Sequence, residues 1–309
     1  MNPEPSSNAR PLDRLAGDTR LDALANAVGP AVDAVFTGDD PARRFVSDAL
    51  HGRWLGHPLH PLLTDIPIGA WTVGAVADLL ALGGDDRAAY AGDVATTIGV
   101  AGGIGAALAG WAEWSDTKDD VRRLGIAHAA LNAGALTLYA ISLALRRTER
   151  RGIATAVSLL GYALVAGGGY LGGELAFGRQ LGVRHTAEAV DPPAAFTRVA
   201  ALGDVPDDGM VRVALGDFPL LLARTGAGIR AVSAVCTHRG APLGEGKRDG
   251  DCVVCPWHGS RFAFADGAVT AGPATFPLPV FETRISGDDV EVRLVEAPPI
   301  GGSSSTGSE

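Results

Sequence analysis

Cysteine is scarce: three in 309 residues is an odd count, too small for a disulfide framework, and Cys252 and Cys255 lie close enough to read as metal chemistry instead. Basic residues are outnumbered, 26 Lys and Arg against 35 Asp and Glu, for a net charge of -9 and a pI near 5.2. No extended basic face is left to neutralise phosphates, which excludes a nucleic-acid surface. The first residues, Met1-Asn2-Pro3-Glu4-Pro5-Ser6-Ser7, lack the basic start and short apolar core of a secretory signal. Any membrane insertion is therefore expected to come from internal segments.

What is abundant is apolar sequence in blocks. The hydrophobic share of 47% and the mean hydropathy of +0.17 average a strongly apolar middle with two polar ends, and the length suits two domains. Residues 1–50 are polar, with Leu21, Leu24 and Val28 at helical spacing beside Asp18, Arg20 and Asp22. Such an amphipathic segment suits a membrane surface or packing on another domain. Apolar blocks follow at 66–84, 89–112, 125–145 and 153–177, each near the roughly 20 residues that a bilayer-spanning helix needs. Gly99 with Gly103, Gly168 with Gly172, and Gly169 with Gly173 have the spacing that lets helices approach closely in lipid. Asp65, Asp78, Asp93 and Glu174 keep a soluble Ala-rich bundle open as the alternative. Four separate blocks of spanning length favour an all-α, four-helix transmembrane bundle over 51–178.

A polar linker at 179–194, stiffened by Asp191-Pro192-Pro193, leads to short β-like segments at 196–200, 211–215, 220–224, 229–234, 280–285 and 290–294. Gly-rich turns between them predict an antiparallel all-β domain over 195–296, followed by a disordered tail at 297–309 whose last nine residues, from Gly301, are Gly/Ser-rich with nothing to bury. Inside this domain Cys236-Thr237-His238 and Cys255-Pro256-Trp257-His258 give C-x-H-x16-C-x-x-H. Each short loop offers one thiolate and one imidazole, unlike a zinc finger, which pairs Cys with Cys and His with His. The order suits a 2Fe-2S centre in which two Cys hold one iron and two His the other.

Residues 195–296 resemble a Rieske ferredoxin-type domain. The match runs on through Gly259-Ser260-Arg261-Phe262, Asp266-Gly267, Gly272-Pro273-Ala274 and Pro277-Leu278-Pro279 to Gly287-Asp288. The resemblance implies a β sandwich of two sheets whose two loops meet at a tip. It also implies a 2Fe-2S cluster on Cys236, His238, Cys255 and His258, with imidazoles exposed enough to pass electrons. Cys252 lies outside the pattern and is expected as a strand residue packed inward. Relatives in cytochrome bc complexes brace the loops with a disulfide at the positions of Ala241 and Trp257, and hydrogen-bond the cluster through a Ser and a Tyr. Here Ser260 fits the Ser position and Phe262 replaces the Tyr. With Ser260, Trp257 and Phe262 around the cluster, a low to intermediate potential is expected. Oxygenase α subunits share the motif but add a mononuclear iron held by two His and a carboxylate. Only His185 is left over in the C-terminal half, so no hydroxylating centre of that kind is expected.

Ahead of the first apolar block, Gly56-His57-Pro58-Leu59-His60-Pro61 resembles the signature of a widespread bacterial membrane family of unknown function, over residues 50–183. That resemblance implies four helices and no established activity. Alternation of four spans places His57, His60, His128 and the linker on one side. Neutral imidazoles there suit axial ligation of haem b, a quinone pocket, or the plainer role of turn and bundle-interior residues, with His128 bonded to a neighbour such as Asn132. On the linker side lie Arg43, Arg44, Arg53, Lys118, Arg122, Arg123, Arg179 and Arg184; on the other lie Arg87, Arg146, Arg147, Arg150 and Arg151. Positive residues favour the cytoplasm. The expectation is a multi-pass protein of the cell inner membrane with a cytoplasmic cluster domain. It would pass single electrons between a redox partner protein or quinone and an unidentified acceptor, without nucleic acid. A redox-sensing membrane scaffold and a quinol-linked oxidoreductase are the alternatives.

Overall fold

The computed structural model describes residues 11–38, 40–148, 150–185 and 195–294, and the chain divides into two compact units, Met1–Val183 and Arg184–Glu309. Most of the expected linker, from residue 186, and the expected tail at 297–309 lie outside the described residues, as do residues 1–10.

The first unit opens with three shorter helices, α1 (Pro11–Ala16), α2 (Arg20–Phe36) and α3 (Pro41–His51). The α3 helix starts where the Asp40 carboxylate accepts from Ala42 and Arg43 N–H, with Pro41 in the first turn, and ends at Gly52, whose φ of 82° suits glycine. The amphipathic α2 packs inward: its Leu21 and Val28 join Ala25 and Val32 against Trp114 and Ile126 of the long helices. Arg123 clasps Asp22 at 2.7 Å, and the Arg122 guanidinium lies 4.0 Å from the Trp114 ring centroid.

Four long helices follow: α4 (Leu59–Ala81), α5 (Asp86–Ser115), α6 (Asp119–Arg146) and α7 (Arg151–Gly173), the last running into a π turn at Glu174–Gly178. Each is long and apolar enough to cross a bilayer. The closest packing is within two hairpins, α4 with α5 and α6 with α7. Large apolar side chains such as Val73, Leu80, Ile98 and Leu160 face outward. The interior holds a flat stack of Trp71 on Tyr139, with centroids 4.1 Å apart, and a charged knot in which Arg146 binds Asp78 and Asp93 while Ser142 and Ser158 join it. In a spanning helix, polar groups turn away from lipid and satisfy one another.

The second unit is all antiparallel β. Its larger sheet contains β1 (Thr197–Ala201), β2 (Met210–Leu215), β3 (Phe218–Thr225), β4 (Gly228–Ser233), β9 (Val280–Ser286) and β10 (Asp289–Leu294), in the order β1-β10-β9-β4-β3-β2. The smaller sheet has four three-residue strands in sequential order: β5 (Lys247–Asp249), β6 (Cys252–Val254), β7 (Arg261–Ala263) and β8 (Val269–Ala271). Strand β3 is apolar on both sides because both are covered: Leu220 and Leu222 enter one core with Ile229, Phe281 and Val290, while Leu221 and Ala223 enter the other with Val253, Phe262 and Phe264. The smaller sheet left no mark in the sequence pattern, since three residues are too few to show an alternation. Cys252 corrects one expectation. It is half-buried rather than packed inward, with its thiol 3.8 Å from the Thr270 hydroxyl, because the period of two along β6 gives the core position to Val253.

Candidate metal centre

Two loops carry the Cys-His pairs, and they are built alike. The first leaves β4: Cys236 N–H donates to the Ala241 carbonyl at 2.9 Å, and Gly240 N–H donates back to the Cys236 carbonyl at 3.0 Å. The second leaves β6: Cys255 N–H donates to the Ser260 carbonyl at 2.8 Å, and Gly259 N–H returns to the Cys255 carbonyl at 3.2 Å. Gly240 and Gly259 sit at φ of 73° and 74°, a left-handed conformation that a β-carbon would penalise. Each turn wraps backbone N–H groups round its own sulfur: His238 and Arg239 donate to Cys236, Trp257 and His258 to Cys255.

A third loop ties the two together. Phe276 offers its carbonyl to the Thr237 hydroxyl at 2.7 Å, and Ala274 N–H donates to the Ser260 hydroxyl oxygen at 3.0 Å. Both hydroxyl residues are buried. The Ser260 oxygen is thus held as an acceptor, which leaves its proton to donate elsewhere.

The loops bring the four side chains together. Cys236 and Cys255 are buried and hydrogen-bonded to each other: that bond, helped by burial, pushes the Cys236 thiol up, while the same bond holds Cys255 down at about 6. The His238 and His258 rings meet edge to face with centroids 5.0 Å apart, both half-buried. Trp257 is 51% exposed and stands beside His258 at 6.4 Å. Ala241 and Phe262 are buried in the same core cluster as the two thiols. Among the described residues, no three His, Cys, Asp or Glu side chains close on one point as a single metal ion would need. Two thiols side by side and two imidazoles side by side are a set of another kind. It fits a binuclear iron-sulfur cluster, whose irons each take two protein ligands, better than tetrahedral zinc.

In the helical unit, His60 and His128 come together, with ring centroids 6.1 Å apart. His57 stays exposed, its Nδ1 3.1 Å from the Pro58 carbonyl. Asn132 does bond His128, its Nδ2 lying 3.2 Å from Nε2. His51 carried no role in the sequence pattern, yet it is buried at the end of α3 in an ion pair with Asp116 at 3.0 Å. Nothing in local sequence links residues so far apart.

Residues 195–282 match the Rieske [2Fe-2S] domain family, and residues 56–185 match the family described as predicted membrane protein (DUF2231). Among curated proteins, "Ferredoxin CarAc" of Metapseudomonas resinovorans is 38% identical over 98 residues, covering 31% of this chain and 92% of that protein. The ferredoxin component of biphenyl 2,3-dioxygenase from Rhodococcus jostii (strain RHA1) is 34% identical over 100 residues, covering 32% of this chain and 94% of the relative. Among solved structures, the Sphingomonas yanoikuyae B1 ferredoxin is 26% identical, with 33% of this chain and 100% of that chain covered and a TM-score of 0.31.

Proposed function

The chain belongs to the Rieske [2Fe-2S] family through its C-terminal unit, and from that premise we propose that it is an electron carrier of the cell inner membrane, anchored by its four long helices. The observation that carries this reading is the pair of twinned loops, which bring two thiols and two imidazoles together under one clamp. Cys236 and Cys255 would hold one iron and His238 and His258 the other. Bound there, the cluster supplies one-electron chemistry. The half-buried imidazoles and the exposed Trp257 give a partner a surface to meet.

One relative is named a ferredoxin and the other the ferredoxin component of a dioxygenase, which favours a redox protein as the partner on at least one side of the transfer. Quinone is the other partner class, to be met from the membrane unit. The excess of Arg and Lys at the ends that carry the linker favours a cytoplasmic cluster domain.

Iron and acid-labile sulfide analysis of the detergent-purified chain tests the core of this reading. Two irons and two sulfides are expected, with the low average g value of a His-ligated cluster after reduction. One zinc and no labile sulfide would end it. Reporter fusions after Gly84 and after residue 309 test the topology. Opposite responses are expected, and equal responses would reject four spans.

A further inference from the structure

The two hairpins of the helical unit follow one plan. His60, Trp71 and Asp78 on α4 recur at the same spacing as His128, Tyr139 and Arg146 on α6. The partner helices repeat the glycines that these residues pack on. A β-carbon on Gly110 would stand 2.9 Å from the His60 ring, and one on Gly172 would stand 3.2 Å from the His128 ring. Gly99 makes room for Trp71 as Gly161 does for Tyr139, and Leu63 lies over Gly105 as Leu131 does over Gly167. One contact is inverted: Ile66 against Gly102 becomes Gly134 against Leu164. The second hairpin therefore repeats the packing plan of the first. Residues at equivalent places in the two hairpins meet one another along a common axis of contact: the Trp71–Tyr139 stack, the Asp78–Arg146 pair and the His60–His128 pair.

Both imidazoles are set in the same way. Nδ1 of His60 lies 2.8 Å from the Ala106 carbonyl, and Nδ1 of His128 lies 2.8 Å from the Gly168 carbonyl. A carbonyl only accepts, so both Nδ1 atoms carry the proton and both Nε2 atoms keep a lone pair. The Asn132 amide lies 3.2 Å from that lone pair on His128 and 2.9 Å from the His128 carbonyl, and the carbonyl bond can hold the amide when the lone pair is taken by a ligand. An Nδ1–H bond to a backbone carbonyl is the outer contact that orients metal-binding histidines and raises their basicity.

We propose that His60 and His128 are the two axial ligands of one b-type haem held on this axis, which deepens and rests on the electron-carrier reading. Two donors do not satisfy a bare ion that needs three or four from the protein, and among the described residues no third His, Cys, Asp or Glu joins them. A haem iron brings four equatorial nitrogens of its own and asks the protein only for the axial positions. Two imidazoles bound trans to one ion at about 2.0–2.1 Å place their ring centroids about 6 Å apart, which agrees with the observed 6.1 Å. A quinone carbonyl would find one donor here, the Asn132 amide, beside two lone pairs that repel it, so a quinol, which can donate to both, is the stronger competitor.

The full-length chain in detergent, titrated with haemin, tests the proposal. One haem per chain is expected, with a low-spin spectrum and a sharp α band on reduction. His60→Ala and His128→Ala should each abolish it, and His57→Ala should not. His128→Met, which replaces one axial donor by another, should keep a low-spin haem with a shifted band, and so separates loss of a ligand from loss of the fold. The 2Fe-2S EPR signal should persist in every variant; its absence from the wild type would strike the carrier reading and leave the haem titration unaffected. A wild-type chain that keeps its cluster and takes up no haem overturns the proposal. So does uptake unchanged in both alanine variants, or quinol-driven cluster reduction that His60→Ala abolishes while no haem is bound.

Discussion

In the β unit the largest fully buried side chains are apolar, Leu220, Leu221, Leu222, Val253, Phe262 and Phe264 among them, and the charge lies outside. In the helical unit the interior holds Asp78, Arg146, Ser142 and Ser158, while Val73, Leu80, Ile98 and Leu160 face outward. One principle produces both patterns, since each unit hides what its surroundings cannot solvate. Water tolerates charge and rejects hydrocarbon; lipid does the reverse. The consequence for chemistry is that the β unit can carry its reactive groups on loops, close in sequence, whereas the helical unit must assemble them from different helices.

The largest effect that would test this division is removal of one cluster donor. Cys255→Ser should reduce bound iron and labile sulfide to background and destabilise the β unit, while the thermal transition of the helical unit stays in place. Loss of both transitions together would show that the units do not fold independently. Next in size is the interior charge. Asp78 is 1% exposed and Arg146 3%, so Asp78→Ala leaves a buried guanidinium with Asp93 as its remaining carboxylate and should cost about 3–5 kcal/mol in detergent unfolding. The combined change Asp78→Leu with Arg146→Met should recover much of that loss. The exposed pair Arg198–Asp289, at 60% and 40%, supplies the contrast: Arg198→Ala should leave the unfolding transition of the β unit nearly unchanged. Similar costs at the two sites would contradict a lipid-facing helical unit.

A smaller shift is expected at Ser260. Its buried oxygen accepts from Ala274 N–H, so its proton is the one side-chain hydroxyl donor that the sequence pattern keeps for the cluster. Losing one hydrogen bond of about 1–1.5 kcal/mol should lower the potential by roughly 40–65 mV. Phe262, fully buried in the same core, is the position where a hydroxyl is missing, and Phe262→Tyr should raise the potential. Redox titration reads both. No change with Ser260→Ala would mean that the backbone donors at the two cysteines set the potential alone.

What the sequence revealed follows the same division. The Cys-His loops were legible because a turn wrapped round a sulfur needs its Cys, His and Gly within a few residues, and the strands of the larger sheet were legible from their length and turns. The four helices were legible as apolar blocks, although their ends extend into polar residues, as where α5 begins at Asp86 under the Asp85 cap. The small sheet was hidden by the brevity of its strands. The Asp78–Arg146 pair, the His51–Asp116 pair and the hairpin repeat were hidden for another reason: each depends on which helix faces which, and the repeat survives in which residue packs on which glycine more than in residue identity.

The last and most local effect lies at the seam between α3 and the long helices, outside the lipid-facing segments. His51 has an acceptor at each ring nitrogen: the Asp116 carboxylate 3.0 Å from Nε2 and the Ser47 carbonyl 2.8 Å from Nδ1. Burial works against the charged ring, but the Asp116 bond and charge, the Ser47 carbonyl and the nearby Glu113 carboxylate outweigh it and raise the pKa above the ordinary 6.5. A group with a raised folded pKa contributes its stability in full below the unfolded value and loses it as pH rises through the folded value. The Tm of the helical unit should therefore be highest near pH 6 and fall as pH climbs above about 6.5, with little change on the acid side until the carboxylates protonate. His51→Gln and Asp116→Asn should each lower the Tm at pH 6 and flatten its fall toward alkaline pH. If His51→Gln keeps the wild-type slope, the pH dependence belongs to another group and the buried pair does not hold α3 to the bundle through its charge.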